Sequence, residues 1–322
     1  MSSAPPTQPV PGLGRRARPS FWMRLNAIDR RWIFLAMALA VAGPILWVGV
    51  TGSTLPEKAT RPVKGAFRAI DDLPAGSKVL ISFDFDPASA GELQPMATAF
   101  INHCALKGHK LYCITLWAPG TPLIEQTITD VIGRYHPGKY QYGTNLVNLG
   151  YQAGNEGVMK NATSNFLLAF PKDVKGTPSA QIPMMQSITK VGDFDLLISI
   201  SAGYPGAKEW VQYAVSGTLT STKPLKFVAG CTGVQTPQVM PYYPVQMAGV
   251  LGAIKGAAEY EVEVNKLVAE ANPKKPVPAS LQDAQRRMAP QLVGHVLMVC
   301  LIALGNIIYF TTRPGRARGA HA

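Results

Sequence analysis

The stretch "SKVLISFDFDPASAGELQP", residues 77 to 95, sets the architecture of this chain. From Lys78 to Phe85 the residues are almost all apolar, in a run too short for a core helix and rich in the Val, Ile and Phe that strands favour. Asp86, Pro87 and Ser89 then punctuate the chain, and a longer amphipathic run starts at Ala90. A strand that is apolar on both faces and leads straight into a helix is the first half of a βαβ unit.

The pattern repeats. Strands are expected at 78 to 85, 110 to 117, 145 to 151, 194 to 201 and 225 to 231, with helices near 90 to 107, 121 to 135, 156 to 169, 181 to 190, 206 to 215 and 238 to 268. Within the last of these, Gly249, Gly252 and Gly256 would clear one side of the helix for close packing. The expected fold is α/β: a doubly wound, mainly parallel five-stranded sheet in three layers, Rossmann- or flavodoxin-like, flanked by N- and C-terminal transmembrane helices. The connection 170 to 185, with its three prolines, is expected to pass over the surface.

The flanking helices come from two uncharged segments, "WIFLAMALAVAGPILWVGVTGSTLP" at 32 to 56 and "MAPQLVGHVLMVCLIALGNIIYFTT" at 288 to 312. Each exceeds the roughly 20 residues needed to cross a bilayer core. A cleaved signal peptide fits the first poorly, because the run is long, starts late and lacks an A-x-A site. The chain then divides into a disordered basic segment 1–31, a span 32–56, a linker 57–77, an α/β domain 78–268, a Pro-rich linker 269–287, a span 288–312 and a basic tail 313–322.

Charge follows the same division. The formal net charge is +12, but residues 1 to 31 hold six Arg and one acid, and the stretch from Arg286 onward holds five Arg and no acid, leaving about +2 for the middle. A phosphate-binding groove would need that charge on the folded domain, so nucleic acid is excluded as a partner. The lipid bilayer is the partner that basic clusters beside apolar segments imply. Arginines before the first span and after the second place both termini in the cytoplasm and the domain outside it, at an inner membrane. Lys58, Arg61 and Lys64 after the first span, with Lys274, Lys275, Arg286 and Arg287 before the second, oppose that orientation.

Four cysteines, at 104, 113, 231 and 300, and five histidines show no metal-ligand spacing, so neither metal nor cofactor is expected. Buried free thiols are the expectation, with a Cys104 to Cys113 bridge as the geometric alternative. Neither G-x-G-x-x-G nor G-x-x-x-x-G-K-[ST] follows any strand.

Ligands of open α/β sheets sit beyond the carboxyl ends of the strands. Asp84 and Asp86 there resemble the paired carboxylates of the haloacid dehalogenase-like phosphatases, one the nucleophile and the other the acid/base. That resemblance implies Mg²⁺ carboxylates at a later strand end, and "ISISAGYPG" at 198 to 206 has none; Pro87 and Ala88 also depart from the pattern. The two aspartates are therefore expected to form turns or cap a helix. Ser201 in "SISAG" sits as in a nucleophile elbow, but the only later histidines are His295 and His321. Cys231 lacks a histidine on its own edge.

Without a catalytic set, the expected function is a membrane-anchored, non-catalytic accessory, scaffold or sensor subunit that presents an α/β domain within a larger membrane complex. The alternative is a membrane-tethered hydrolase-like enzyme, or a small-solute binding module, with a small-molecule ligand on Asp84, Asp86, Ser201, Thr232 and Gln235. His295 and Asn306 lie about three turns apart on one face of the second span, where polar groups mark helix pairing, either with the first span or with a partner protein, and other membrane-protein subunits are the expected partners.

Overall fold

The computed structural model describes residues 21, 25, 27–219 and 222–312. The expected disorder of the first 20 residues and the basic tail from 313 lie outside them. Six strands form one parallel sheet: β1 (Lys78–Asp84), β2 (Lys110–Thr115), β3 (Leu146–Tyr151), β4 (Leu196–Ser201), β5 (Lys226–Cys231) and β6 (Gly249–Gly252). Their order is β3-β2-β1-β4-β5-β6, so the chain reverses its direction of growth between β1 and β4.

The helices are α1 (Arg30–Thr51), α2 (Arg61–Asp71), α3 (Ala90–Lys107), α4 (Gly120–Thr127), α5 (Glu156–Ser164), α6 (Phe166–Ala169), α7 (Ala207–Trp210), α8 (Thr236–Val239), α9 (Ala253–Ala271) and α10 (Asp283–Thr312). Strand side chains alternate between two cores. Ile81, Phe83, Ile198, Ile200 and Val228 face Leu93, Met96 and Phe100 of α3, Ile70 of α2 and Tyr260 of α9. Leu80, Tyr112, Leu197 and Phe227 face Met159, Phe166, Phe170 and Trp210 on the other side. Helices thus cover both faces, which is why the strands read as continuous apolar runs.

Several expected elements differ. The sheet has six strands, not five. The stretch 238 to 268 is not one helix: Gly249 and Gly252 lie on β6, and α9 starts only at Ala253. Glycine is a poor helix former, and here its missing side chain is needed for close approach. A Cβ on Gly249 would lie 2.0 Å from the Ala66 nitrogen, and one on Gly65 would lie 2.1 Å from the Ala248 oxygen. Through that contact α2, in the segment expected as a linker, covers the sheet edge that β6 would otherwise expose.

The helix expected at 181 to 190 is a series of short 3₁₀ turns, since Pro183 lacks an N–H and the Asp193 carboxylate takes the N–H groups of Thr189 and Lys190. The connection 170 to 185 is largely exposed from Pro171 to Gln181 and turns inward at its end, where Ile182, Met184 and Met185 are buried and the Tyr112 hydroxyl donates to the Met184 carbonyl at 2.9 Å. Asn165 breaks the helix expected at 156 to 169 by capping α6 with its side chain. Both α4 and α7 continue as π-helical turns, at Ile128–Gly133 and Val211–Val215.

The chain divides into two compact units. Ile45–Ala289 holds the sheet and its helices, while the other unit holds α1 up to Pro44 and α10 from Pro290. Helices α1 and α10 are each long and apolar enough to cross a membrane. On α10 the less exposed positions Gly294, Leu297, Leu301, Leu304 and Ile308 recur at alternating spacings of three and four, a single helical stripe. A Cβ on Gly294 would come 3.7 Å from Val41 Cγ2, which marks where α1 passes.

Candidate functional site

At the carboxyl ends of the central strands, Asp84 stands in register with Ser201, and Ser201 with Cys231. All three are buried on the same face of the sheet. Asp84 Oδ1 accepts from the Leu116 N–H at 2.8 Å, and Oδ2 accepts from Ser82 Oγ at 2.6 Å and from Trp210 Nε1 at 3.3 Å. Burial pushes its pKa up to about 6, against the pull of those three donors. The carboxylate therefore ties β1 to the loop after β2 and to α7.

Ser201 is as fully engaged. Its hydroxyl donates to Gln235 Oε1 at 2.9 Å and accepts from the Ala207 N–H at 3.1 Å. Gln235 Nε2 donates to the Gly203 carbonyl at 3.0 Å, and Thr232 Oγ1 accepts the Gln235 N–H at 3.4 Å. Gly206 makes the turn possible, since a Cβ there would lie 2.4 Å from the Gly203 oxygen and 2.7 Å from Ser201 Cβ. Asp86 lies on the rim and accepts the Ser89 N–H at 3.0 Å in the turn that opens α3. Of the five residues singled out from the sequence, Ser201, Thr232 and Gln235 form one hydrogen-bonded group, while Asp84 and Asp86 bond elsewhere.

Among the described residues, none of the histidines of the α/β unit bonds to these groups. His103, in α3, shares a 2.7 Å hydrogen bond with the Tyr260 hydroxyl and lies 3.4 Å from Asp71; His109 donates to the Ile70 carbonyl, and His136 bonds to Asn102. Burial holds His103 and His136 down to about 4, so both rings are neutral. Burial also pushes the Cys231 thiol up to about 11, and its sulfur contacts Thr236 Oγ1 and the Leu251 carbonyl. Cys104 and Cys113 are both free and buried. Among the described residues, no group of His, Cys, Asp and Glu could hold a metal ion.

Three carboxylates on this rim escaped notice in the sequence. Glu92 Oε2 accepts the Gly233 N–H and Glu209 Oε2 accepts the Gly206 N–H, both at 2.9 Å, while Glu156 bonds to Tyr204 and is the main cause of that phenol's rise to about 12. Each stands in the first turn of the helix after a strand, the position where the helix N-terminus favours an acid. Backbone strain collects on the same edge. Asn155, between β3 and α5, and Ala253, between β6 and α9, have φ of 46° and 54°.

Helix α9 carries a second polar set. Glu259 Oε2 accepts the Thr60 N–H at 2.8 Å, just ahead of α2. Glu261 accepts the N–H groups of Ala284 and Gln285, each at 3.0 Å, in the first turn of α10. Asn265 Nδ2 adds a bond to the Leu281 carbonyl at 2.8 Å. The segments that continue toward the two apolar helices are thus gripped by one helix. The sequence signal was a run with three acids, "AAEYEVEVN" at 257 to 265, of which Glu259 and Glu261 are buried.

His295 and Asn306 are exposed and lie off the Gly294–Leu297–Leu301–Leu304–Ile308 stripe. Asn306 Nδ2 bonds back to the Ile302 carbonyl at 3.0 Å.

No protein-family model matches this chain, and neither a curated protein nor a solved structure matches it.

Proposed function

We propose that the chain is a membrane-anchored, non-catalytic subunit, a scaffold or sensor that presents its α/β domain to other subunits of a membrane complex. The observation that carries this reading is the state of the strand ends: the groups that a hydrolytic or transfer mechanism would need are hydrogen-bonded to one another and to the loops they hold. Two features support it. The paired glutamates of α9 hold the segments that lead toward both apolar helices, and His295 and Asn306 of α10 are exposed, polar groups on an otherwise apolar helix.

In this reading the domain is of the doubly wound, Rossmann-like class, which the strand order and two-sided helix cover suit. Its crevice at the switch between β1 and β4 serves structure rather than chemistry. Both termini are cytoplasmic and the domain lies outside the cytoplasm, at an inner membrane. Gentle detergent extraction is expected to bring down other membrane proteins in fixed ratio; recovery of a lone chain refutes the subunit role. A reporter fused beside Pro276 is expected to be active only outside the cytoplasm, and activity inside reverses the orientation.

A further inference from the structure

Away from the strand ends, a cleft of about 550 Å³ runs between the end of α3, the turn after α4 and the end of α9. Its walls carry Arg134, Lys139 and Lys275 and no carboxylate, while Leu106, Val268 and Leu281 give it apolar ground. The volume falls within the roughly 300–1,000 Å³ of small-molecule sites.

These cations are poorly neutralised. Arg134 has one long, exposed contact, to Asp130 at 3.4 Å. Lys139 turns its ammonium to the carbonyls of Ala105 and Leu106 at the last turn of α3. Lys275 makes no ion pair among the described residues. The walls themselves are fixed. The π-helical turn Ile128–Gly133 shifts the chain just ahead of Arg134, a feature frequent at functional sites. Tyr135 and Ser280 share a hydrogen bond, and Asn265 holds Leu281, so the Pro-rich segment is held as one wall.

We propose that this cleft binds a phosphate ester with an apolar body. The phosphate sits between Arg134, whose planar fork matches its oxygens, and Lys275, which acts as a point charge; the hydrocarbon lies on Leu106, Val268 and Leu281. Two sources share this chemistry, an anionic phospholipid of the bilayer and a soluble alkyl phosphate. Leu281 stands just ahead of α10, the helix that carries the second apolar run. The site does not depend on the chain having protein partners.

The test uses the full chain purified in detergent. Hexyl phosphate is titrated by calorimetry against hexanol as the neutral control, and retention of phosphatidylglycerol over phosphatidylcholine from nanodiscs is read by native mass spectrometry. The wild type is expected to bind at least one probe in preference to its neutral control, and Arg134→Ala with Lys275→Ala to weaken that binding about tenfold or more, with Arg134→Lys restoring part of it. A calorimetric response to hexyl phosphate identifies a soluble ester, and lipid retention without that response identifies the bilayer. Both residues are exposed, so unfolding temperature is expected to stay unchanged in the variants. Binding of neither probe, or equal binding by the double alanine variant, overturns the proposal.

Discussion

At the carboxyl ends of the strands, Asp84, Ser201 and Gln235 bond to neighbouring loops and to each other; on α9, Glu259 and Glu261 bond to backbone N–H groups of the segments leading toward α1 and α10. Both regions bury carboxylates, and both use them to hold chain in place. They differ in what is held. One fixes the turns of the sheet, the other fixes the domain's attachments. In both regions the buried carboxylates hold backbone N–H groups in place, and variants on the two sides can break or sharpen the comparison.

The largest effect is expected on the attachment side at Gly249. Gly249→Ala forces a carbon against the Ala66 backbone, 2.0 Å away, and must displace α2 from the sheet edge. A loss of about 3 kcal/mol is expected in thermal unfolding of the solubilised chain, the upper range for overpacking. A fully stable variant would show that α2 is not part of the domain's core.

Next comes Glu261→Ala, which leaves two N–H groups at the start of α10 without their acceptor. About 2 kcal/mol is expected, with faster hydrogen exchange at Ala284 and Gln285. The strand-end equivalent, Ser201→Ala, is expected to cost about 1 kcal/mol, because it orphans only the Ala207 N–H while Gln235 stays bonded to the Gly203 carbonyl. If the serine variant costs more than the glutamate variant, the ranking of the two regions is reversed.

Both regions also carry a pH signature of one sign. Asp84 is raised to about 6 and Glu261 to about 8, each chiefly by burial. A pKa raised on folding gives stability that is complete below the ordinary carboxyl range and is lost as pH rises through the folded value. The domain is therefore expected to lose stability from about pH 4 to pH 8, by about 1.4 kcal/mol per pH unit for each group within its own window. Glu261→Gln, which mimics the protonated acid, removes all of the slope between pH 6 and 8 and its share from pH 4.5 upward, and Asp84→Asn removes only its own share below about pH 6. Urea unfolding at pH 5, 6.5 and 8 measures both.

Much of this fold was legible because buried parallel strands and apolar spans leave strong, local patterns. The five expected strands form at "KVLISF", "KLYCIT", "LVNLGY", "LLISIS" and "KFVAGC", and α3 ends where Gly108 adopts φ of 74°. What was missed depends on neighbours distant in sequence. Gly249 and Gly252 fit helical spacing by chance, and the missing side chains are needed instead for the approach of α2 at Gly249 and of Thr236 at Gly252. Residues 181 to 190 have helical periodicity, yet Asp193 takes the N–H groups a helix would need. At the strand ends, Asp84 and Ser201 could be placed from the sequence, whereas their partners Trp210 and Gln235 come from other units of the chain. The role of Glu259 and Glu261 appears only once Thr60 and Ala284 are brought beside them.

The most direct measurement is made on the chain carrying Asp84→Asn and Ser201→Ala together, expressed in its native membrane and extracted gently. The account predicts that this variant assembles with the same partners in the same ratio as the wild type and supports the same cellular function, with only a modest fall in unfolding temperature. Loss of that function while the fold persists, whether the chain is assembled or alone, would contradict it and would mark the strand ends as a working active site.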